Sequence, residues 1–513
     1  MEAGASSIPP EVAAEAAPGV APAGRGAGRN TLFSFLTQMS TAAFTAVLTL
    51  YLVRALGPRE FGVFSLAVSI GGLIYLPSDF GISGSTARFI AERRGEQSVV
   101  AGLLSDAVRL KLAISGALSA LMIALAEPVA SAYGVPSLAW PLRWMAIAVL
   151  GQSLVAFYRY AFLAVQEGSV GFRIVFGEAA AETAASIALV VLIGGAAAAG
   201  AGRAVGYAAG TVIAVALTLR RFGPPAFLRR HRLREARRAL ARYASALFVI
   251  DATFTASVAI TPMLIGAFLG PRAVGLFQAP SRLIVLLQYP GLAVGNGIGP
   301  SMARSEHHEP DVRTFTTALR YMIVFQGVLV APVLVWGGPI VDLLLGHKYG
   351  RSATLLKELT PYIYLSGLNA LAVGAVNFMG MARKRLPISV ADLVVNAALT
   401  AALLPLIGLN GAAWAADFVP LFYVPAHLWI TRSVIHFPLR PLILAVIRGL
   451  TAAGAMALVL LAFGTSHLTA FAWIAGSVLG LSAFLLTLIA TREVTVSDLR
   501  RLPGTLASVR RNR

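Results

Sequence analysis

Apolar stretches of about twenty residues recur along this chain, separated by short polar connections, and that pattern constrains its fold more than any other feature. Twenty helical residues rise about 30 Å, the thickness of a hydrocarbon core, so each stretch is long enough to cross a bilayer. Fourteen such stretches are read, at about 30–53, 61–87, 106–126, 139–162, 171–193, 204–219, 243–268, 275–303, 314–336, 358–381, 388–407, 411–431, 442–464 and 471–490. The sixth is the shortest and is rich in glycine. Only 13% of residues are charged against 57% hydrophobic, about half the charged share of a water-facing domain. The expected class is an all-α polytopic membrane protein with about fourteen transmembrane helices.

The distribution of charge sets the expected topology. Of 42 basic residues, 38 are arginine. Lys and Arg in alternate connections number 33 on the side shared by both termini and 7 on the other. By the positive-inside rule both termini are then cytoplasmic. The net charge of +19 is explained by this asymmetry and by the membrane surface, so no nucleic-acid partner is expected. Nine of the basic residues lie in 220–242, which divides the spans six and eight. Trp140, Trp144, Trp336, Trp414 and Trp473 fall near outer span ends, where indoles favour the interface, and Trp429 near an inner end. The Ala/Pro/Gly-rich segment 1–29 lacks the pattern of a signal peptide and reads as a disordered tail.

Several chemistries find no support. The chain has no cysteine, seven scattered histidines, no HExxH string and no Walker-type phosphate loop. Neither a metal nor a cofactor is expected, and energy would come from an ion gradient or a partner rather than from bound ATP.

An internal duplication adds a transport signature. LGPREFGVF at 56–64 and LGPRAVGLF at 269–277 agree at six of nine positions. The same 213-residue offset pairs Leu73 with Leu286, Pro77 with Pro290 and Gly84 with Gly297. Both copies join an odd span to an even one, so the halves share one orientation and are related by an axis along the membrane normal. Proline removes a backbone hydrogen bond and kinks a helix. Pro77 and Pro290 are therefore candidate hinges at equivalent depth, with a tolerated packing kink as the alternative.

LVRALGPREFGVFSLAVSI followed by SDFGISGSTARFIAERRG resembles the Wzx-type polysaccharide or O-antigen flippases of the multidrug/oligosaccharidyl-lipid/polysaccharide exporter superfamily. The resemblance implies two pseudo-symmetric six-helix bundles, 30–219 and 243–431, around a central cavity. The basic linker 220–242 joins them, with helices 13 and 14 (432–490) added outside and a basic tail at 491–513. It further implies a bacterial inner-membrane flippase that moves undecaprenyl-pyrophosphate-linked glycan to the outer leaflet, as lipopolysaccharide or exopolysaccharide synthesis requires. Membrane lipids, H+ or Na+, and a polysaccharide polymerase are the partners such a protein would have. A multidrug-type antiporter is the rival reading, although the extra pair of helices departs from its usual twelve. A membrane-embedded glycosyltransferase or polymerase would need a cluster of acids or bases in a large outer loop, and no outer loop carries one.

Ionisable residues inside spans are costly and by default face a cavity or a partner. Arg282 is the leading candidate for holding a pyrophosphate, because a guanidinium stays charged and binds phosphate through two donors. Arg143 and Arg88 are further candidates, either of which could instead snorkel to an interface. Glu178 and Glu182 stand one turn apart on one helix face, which suits proton coupling or a polar packing seam. Asp79 and Asp251 are the other coupling candidates, with a salt bridge the alternative for Asp79. The intramembrane asparagines, Asn396 among them, read more simply as polar glue between helices. Reporter fusions at residues 235 and 513 are both expected to read cytoplasmic; a periplasmic signal at 513 alone would mean that a span in the second half has been miscounted.

Overall fold

The computed structural model describes residues 25–79, 81–93, 95–223, 234–298, 302 and 309–494. Residues 1–24 and 495–513 of the expected tails, and 224–233 of the linker, lie outside the described residues. Among the described residues the regular elements are all helical. In chain order they are α1 (Arg25–Asp79), α2 (Ile82–Glu92), α3 (Gln97–Ala132), α4 (Ala139–Ala164), α5 (Gly168–Leu192), α6 (Gly195–Phe222), α7 (Arg234–Leu269) and α8 (Pro271–Ile298), followed by α9 (Val312–Leu344), α10 (Gly350–Glu358), α11 (Thr360–Phe378), α12 (Ala382–Ile407), α13 (Leu409–Ile435), α14 (Arg440–Ala462) and α15 (Ala470–Ala490).

Eleven of these helices are long and apolar enough to cross a membrane, or twelve if a pair bent by 63°, His347–Glu358 with Thr360–Phe378, counts as one span. The count is therefore approximate against the fourteen expected, although each expected stretch falls on a helix. Phe35–Asp79 absorbs two of them, since α1 is two helices joined at a kink at Gly57. The segment Pro271–Ile298 is not among the eleven, and Gln278, Ser281, Arg282 and Gln288 dilute its apolar character.

The duplicated motif has the same local structure in both copies. Gly57 adopts φ 70° before Pro58, and Gly270 adopts φ 79° before Pro271. A side chain would strain that conformation, and proline then supplies the fixed φ of a helix start. Five residues on, Gly62 and Gly275 pack against each other's loops. A Cβ on Gly62 would lie 1.7 Å from the Pro271 carbonyl oxygen, and one on Gly275 1.8 Å from that of Pro58. The contact is reciprocal, as a local two-fold relation requires.

The second shared feature, the proline, behaves differently in the two copies. After Pro77, α1 ends at Asp79, Gly81 takes a left-handed conformation (φ 71°), and α2 begins at Ile82. After Pro290, α8 runs on to Ile298 without interruption. The position equivalent to Gly81 is Val294, whose β-branch disfavours the left-handed region. The matched prolines are thus followed by a helix break in the first copy and by continuous helix in the second.

By internal contacts the chain divides into two compact units, Met1–Leu286 with Ala382–Ala415, and Leu287–Met381 with Ala416–Arg513. In the first, α6 lies against α5 through a glycine stripe at Gly202, Gly206 and Gly210. A Cβ at these positions would fall 2.4 Å from Ser186 Cα, 2.4 Å from Glu182 Cβ and 2.6 Å from Glu178 Cβ, respectively. Small residues every fourth position let two backbones approach this closely. In the same unit Asn396 on α12 donates to the Ser257 carbonyl (3.0 Å) and to Thr261 Oγ1 (3.2 Å) on α7, a polar seam between two apolar helices.

The second unit is fastened by charge. Glu493, just beyond α15, is buried and accepts from Arg320 on α9 (2.7 Å) and Arg448 on α14 (2.9 Å). Near the other end of these helices, Trp336 Nε1 donates to the Gly464 carbonyl (3.0 Å) and its ring meets Trp473 edge-on. The last two helices are thus held to α9 at both ends.

Gly62→Ala or Gly275→Ala is expected to lower the melting temperature of the purified protein by several degrees, because the obstacle in each case is backbone. Gly72→Ala, which meets nothing within 4 Å, is the matched control and should change nothing.

Candidate functional site

A cavity of about 320 Å³ lies within the first unit, walled by α1, α5, α6 and α8. From α1 come Thr41, Thr45 and Thr49, each one turn after the last, together with Phe44, Phe61 and Phe64. From α5 come Glu178, Glu182 and Thr183, from α6 Arg203 and Tyr207, and from α8 Arg282. The glycine stripe explains how charge reaches this depth. With no side chains between the helices at Gly206 and Gly210, Glu182 and Glu178 stand directly against α6, and Arg203 lies beside them.

Arg203 is the organising group. Its Nη1 donates to Glu182 Oε1 at 2.8 Å and its Nη2 to Tyr207 Oη at 3.3 Å. The guanidinium also sits 5.3 Å from the centre of the Tyr207 ring. Its Nε is buried with no partner, which leaves a donor unused. Glu178 lies within hydrogen-bond reach of Glu182. Arg282 approaches closely enough for its charge to be felt by Arg203. Among the described residues Arg282 makes no ion pair or hydrogen bond of its own. The site thus holds two guanidiniums and two carboxylates, with one strong pair formed and one guanidinium free.

The other candidates lie elsewhere. Arg143 pairs with Glu127 (2.6 Å) and stacks on the exposed Trp140 ring at 4.8 Å, an arrangement suited to an interface. Arg88 pairs with Glu92 one turn along α2, and both are exposed. Asp79 is bound by Lys111, whose side chain is fully buried, and by Ser83. Lys111 also donates to Ser83 Oγ at 3.0 Å, beside Ser115 and Ser153, which share a 3.0 Å hydrogen bond. The salt bridge weighed for Asp79 is formed, with Lys111 as its partner. The side chain of Asp251 lies outside the described residues.

Two charged groups that the structure places inside helices are counted with the loop charges when hydropathy sets the spans. It puts Arg203 in the connection before a short sixth span, yet α6 begins at Gly195 and carries Arg203 inside it. It puts Lys111 at the start of the third span among the basic residues of the preceding connection, yet α3 begins at Gln97. The spacing Gly202-x3-Gly206-x3-Gly210 is the signal that could have revealed the first, since it extends the helix and marks its packed face.

Known proteins share both the sequence pattern and this architecture. Residues 27–294 match the model of a family described as polysaccharide biosynthesis protein. The chain belongs to that family. No curated protein sequence matches it. Among solved structures it is similar to the lipid II flippase MurJ in an inward closed conformation, at 13% identity and a TM-score of 0.72, over 90% of this chain and 98% of that one. An inward-facing multidrug resistance MATE transporter of the MOP superfamily gives 12% identity and 0.60, over 78% and 99%. The MATE multidrug transporter DinF-BH gives 15% and 0.58, over 83% and 98%. At such identities the shared property is the fold: this family member has the MurJ- and MATE-like architecture of a multi-span membrane protein.

Removing the charge from Lys111 tests the polar cluster that holds Asp79. Lys111→Met leaves Asp79 uncompensated and is expected to destabilise the purified protein by roughly 3–5 kcal/mol. Adding Asp79→Asn should recover most of that loss; no recovery would mean that the pair is not the source of the effect.

Proposed function

We propose that the protein is a flippase that moves undecaprenyl-pyrophosphate-linked oligosaccharide from the inner to the outer leaflet by alternating access. The observation that supports this reading is the presence, in one cavity, of two guanidiniums with donors to spare. A pyrophosphate leaving water loses its hydration and needs charge-assisted donors in fixed positions. Arg282, without a partner among the described residues, and the unused Nε of Arg203 would supply them, while the threonine hydroxyls and aromatic rings of α1 would face the adjoining sugars. Arg143 and Arg88, each engaged with a neighbouring acid, are not assigned to the substrate.

The family and the fold agree with transport rather than catalysis, and we read the protein as a transporter of the bacterial inner membrane with both termini cytoplasmic. We assign ion coupling to the Glu178–Glu182 pair, because two carboxyls within hydrogen-bond reach can join only by sharing a proton; Na+ is the alternative ion. A polysaccharide polymerase would then take the exported unit. A multidrug-type antiporter fits less well. A cationic drug would need a free carboxylate, whereas here Glu182 is engaged by an arginine, Glu178 lies against Glu182, and it is a guanidinium that has no partner among the described residues.

Arg282→Ala is expected to abolish glycan export with the protein still present in the membrane. Arg282→Lys should restore export only in part, since a single ammonium cannot reproduce the guanidinium fork. Export at the wild-type rate in the alanine variant would overturn the assignment.

A further inference from the structure

We infer that Glu182 is a specificity residue: it is the resident counter-ion of Arg203, and only a headgroup carrying two phosphates displaces it. The inference rests on the reading of the cavity as a phosphate site and goes on to say which phosphates it accepts.

A flippase in a bilayer meets single-phosphate lipids in large excess over any lipid-linked substrate. A free pair of arginines would hold either class. Here the two arginines are not equally free. Arg282 has no protein partner among the described residues, whereas Arg203 is tied to Glu182 at 2.8 Å, with side chains only 24% and 10% exposed. A ligand that reaches only Arg282 leaves that pair intact and gains one charge-assisted contact. A ligand that also engages Arg203 must take it from a carboxylate in surroundings of low polarity, where breaking the pair is costly. Rejection arises from a built-in competitor, so discrimination needs no contact specific to the correct ligand.

Two adjacent phosphates meet the condition that one does not. A diphosphate carries more charge than a phosphodiester and presents two groups of oxygens, one to offer each of the two guanidiniums that line the cavity. The other charged or titratable groups at the cavity reinforce the threshold. Glu178, one turn from Glu182 on α5, shares a proton with it in the reading above, so the pair presents one negative charge, and that charge is the one held against Arg203. Tyr207 on α6 gives its hydroxyl oxygen to Arg203 and helps to keep it in place. The wall from α1 offers hydroxyls and rings but no charge. Glu182 is held rigidly for this role, since its Cβ is pressed against Gly206.

Farnesyl diphosphate and farnesyl monophosphate, binding to the purified full-length protein in detergent, are suitable probes for calorimetry. The wild type is expected to prefer the diphosphate by on the order of tenfold or more, the ratio that one partly screened ion pair can set. Glu182→Gln keeps the packing against Gly206 and removes the charge, and it should collapse the preference, chiefly by tightening the monophosphate. Glu182→Asp, which keeps the charge but shortens the reach, should fall between; it decides the matter if the glutamine variant does not fold. In an Arg203→Gln background, Glu182→Gln should no longer alter the preference, because the effect runs through Arg203. An unchanged preference in Glu182→Gln, or equal weakening of both probes, would overturn the inference while leaving a phosphate-binding cavity in place. Binding of neither probe by the wild type would sink the cavity reading itself, and this inference with it.

Discussion

An ion pair set deep among apolar helices is costly to form and costlier to break, and the Glu182–Arg203 pair is the interaction on which this cavity depends. The same rule governs the other buried charges. Lys111 meets Asp79, Glu493 meets Arg320 and Arg448, and Asp417 accepts the Tyr362 amide at the start of α11 (2.9 Å). Each contact lies between different helices, so neutralising the charge also fixes how those helices pack. Arg282 departs from the rule. It lines the cavity without a partner among the described residues, and its neighbours there are the groups that would receive a visiting anion.

Backbone proximity makes the pair possible. Carboxylates on α5 could not stand against α6 if side chains separated the helices, and Gly202, Gly206 and Gly210 remove them. The reciprocal contact of Gly62 with Gly275 uses the same device at the duplicated loop, where two copies of one motif touch through bare backbone. In both places glycine serves close approach rather than flexibility. A substitution there would be read first in stability and only then in transport.

The helical class and the placement of most helices were legible because they rest on hydropathy over about twenty residues, a signal that survives uncertain edges. The duplicated loop was legible because it needs Gly-Pro and a following glycine in sequence. Helix ends were not, and two charges were lost to them. Arg203 looks like a loop residue when a span is taken to start where hydropathy rises, and Lys111, near the start of its span, is counted with the preceding connection, yet both helices begin earlier and carry the charge inside. Hydropathy lowers its own reading wherever a buried charge sits, so the positions of greatest interest are the ones it pushes out of a span. The break after Pro77 without a counterpart after Pro290 was hidden for a different reason: proline was the visible signal, but Gly81 against Val294 decided it.

The same architecture is found in a lipid II flippase and in multidrug transporters, so the fold alone does not choose a substrate. What distinguishes the possibilities is which charge in the cavity is already satisfied. A site for cations would keep a carboxylate free and neutralise any arginine nearby. This cavity does the reverse: its best-placed carboxylate is bound to Arg203, and a second guanidinium has no partner among the described residues. Its two guanidiniums and two carboxyl groups are balanced in number but not in availability. An incoming anion finds donors at once, whereas an incoming cation would have to compete with Arg203 for Glu182. Availability, not net charge, is therefore what supports the proposal of an anionic headgroup for this member of the polysaccharide biosynthesis family.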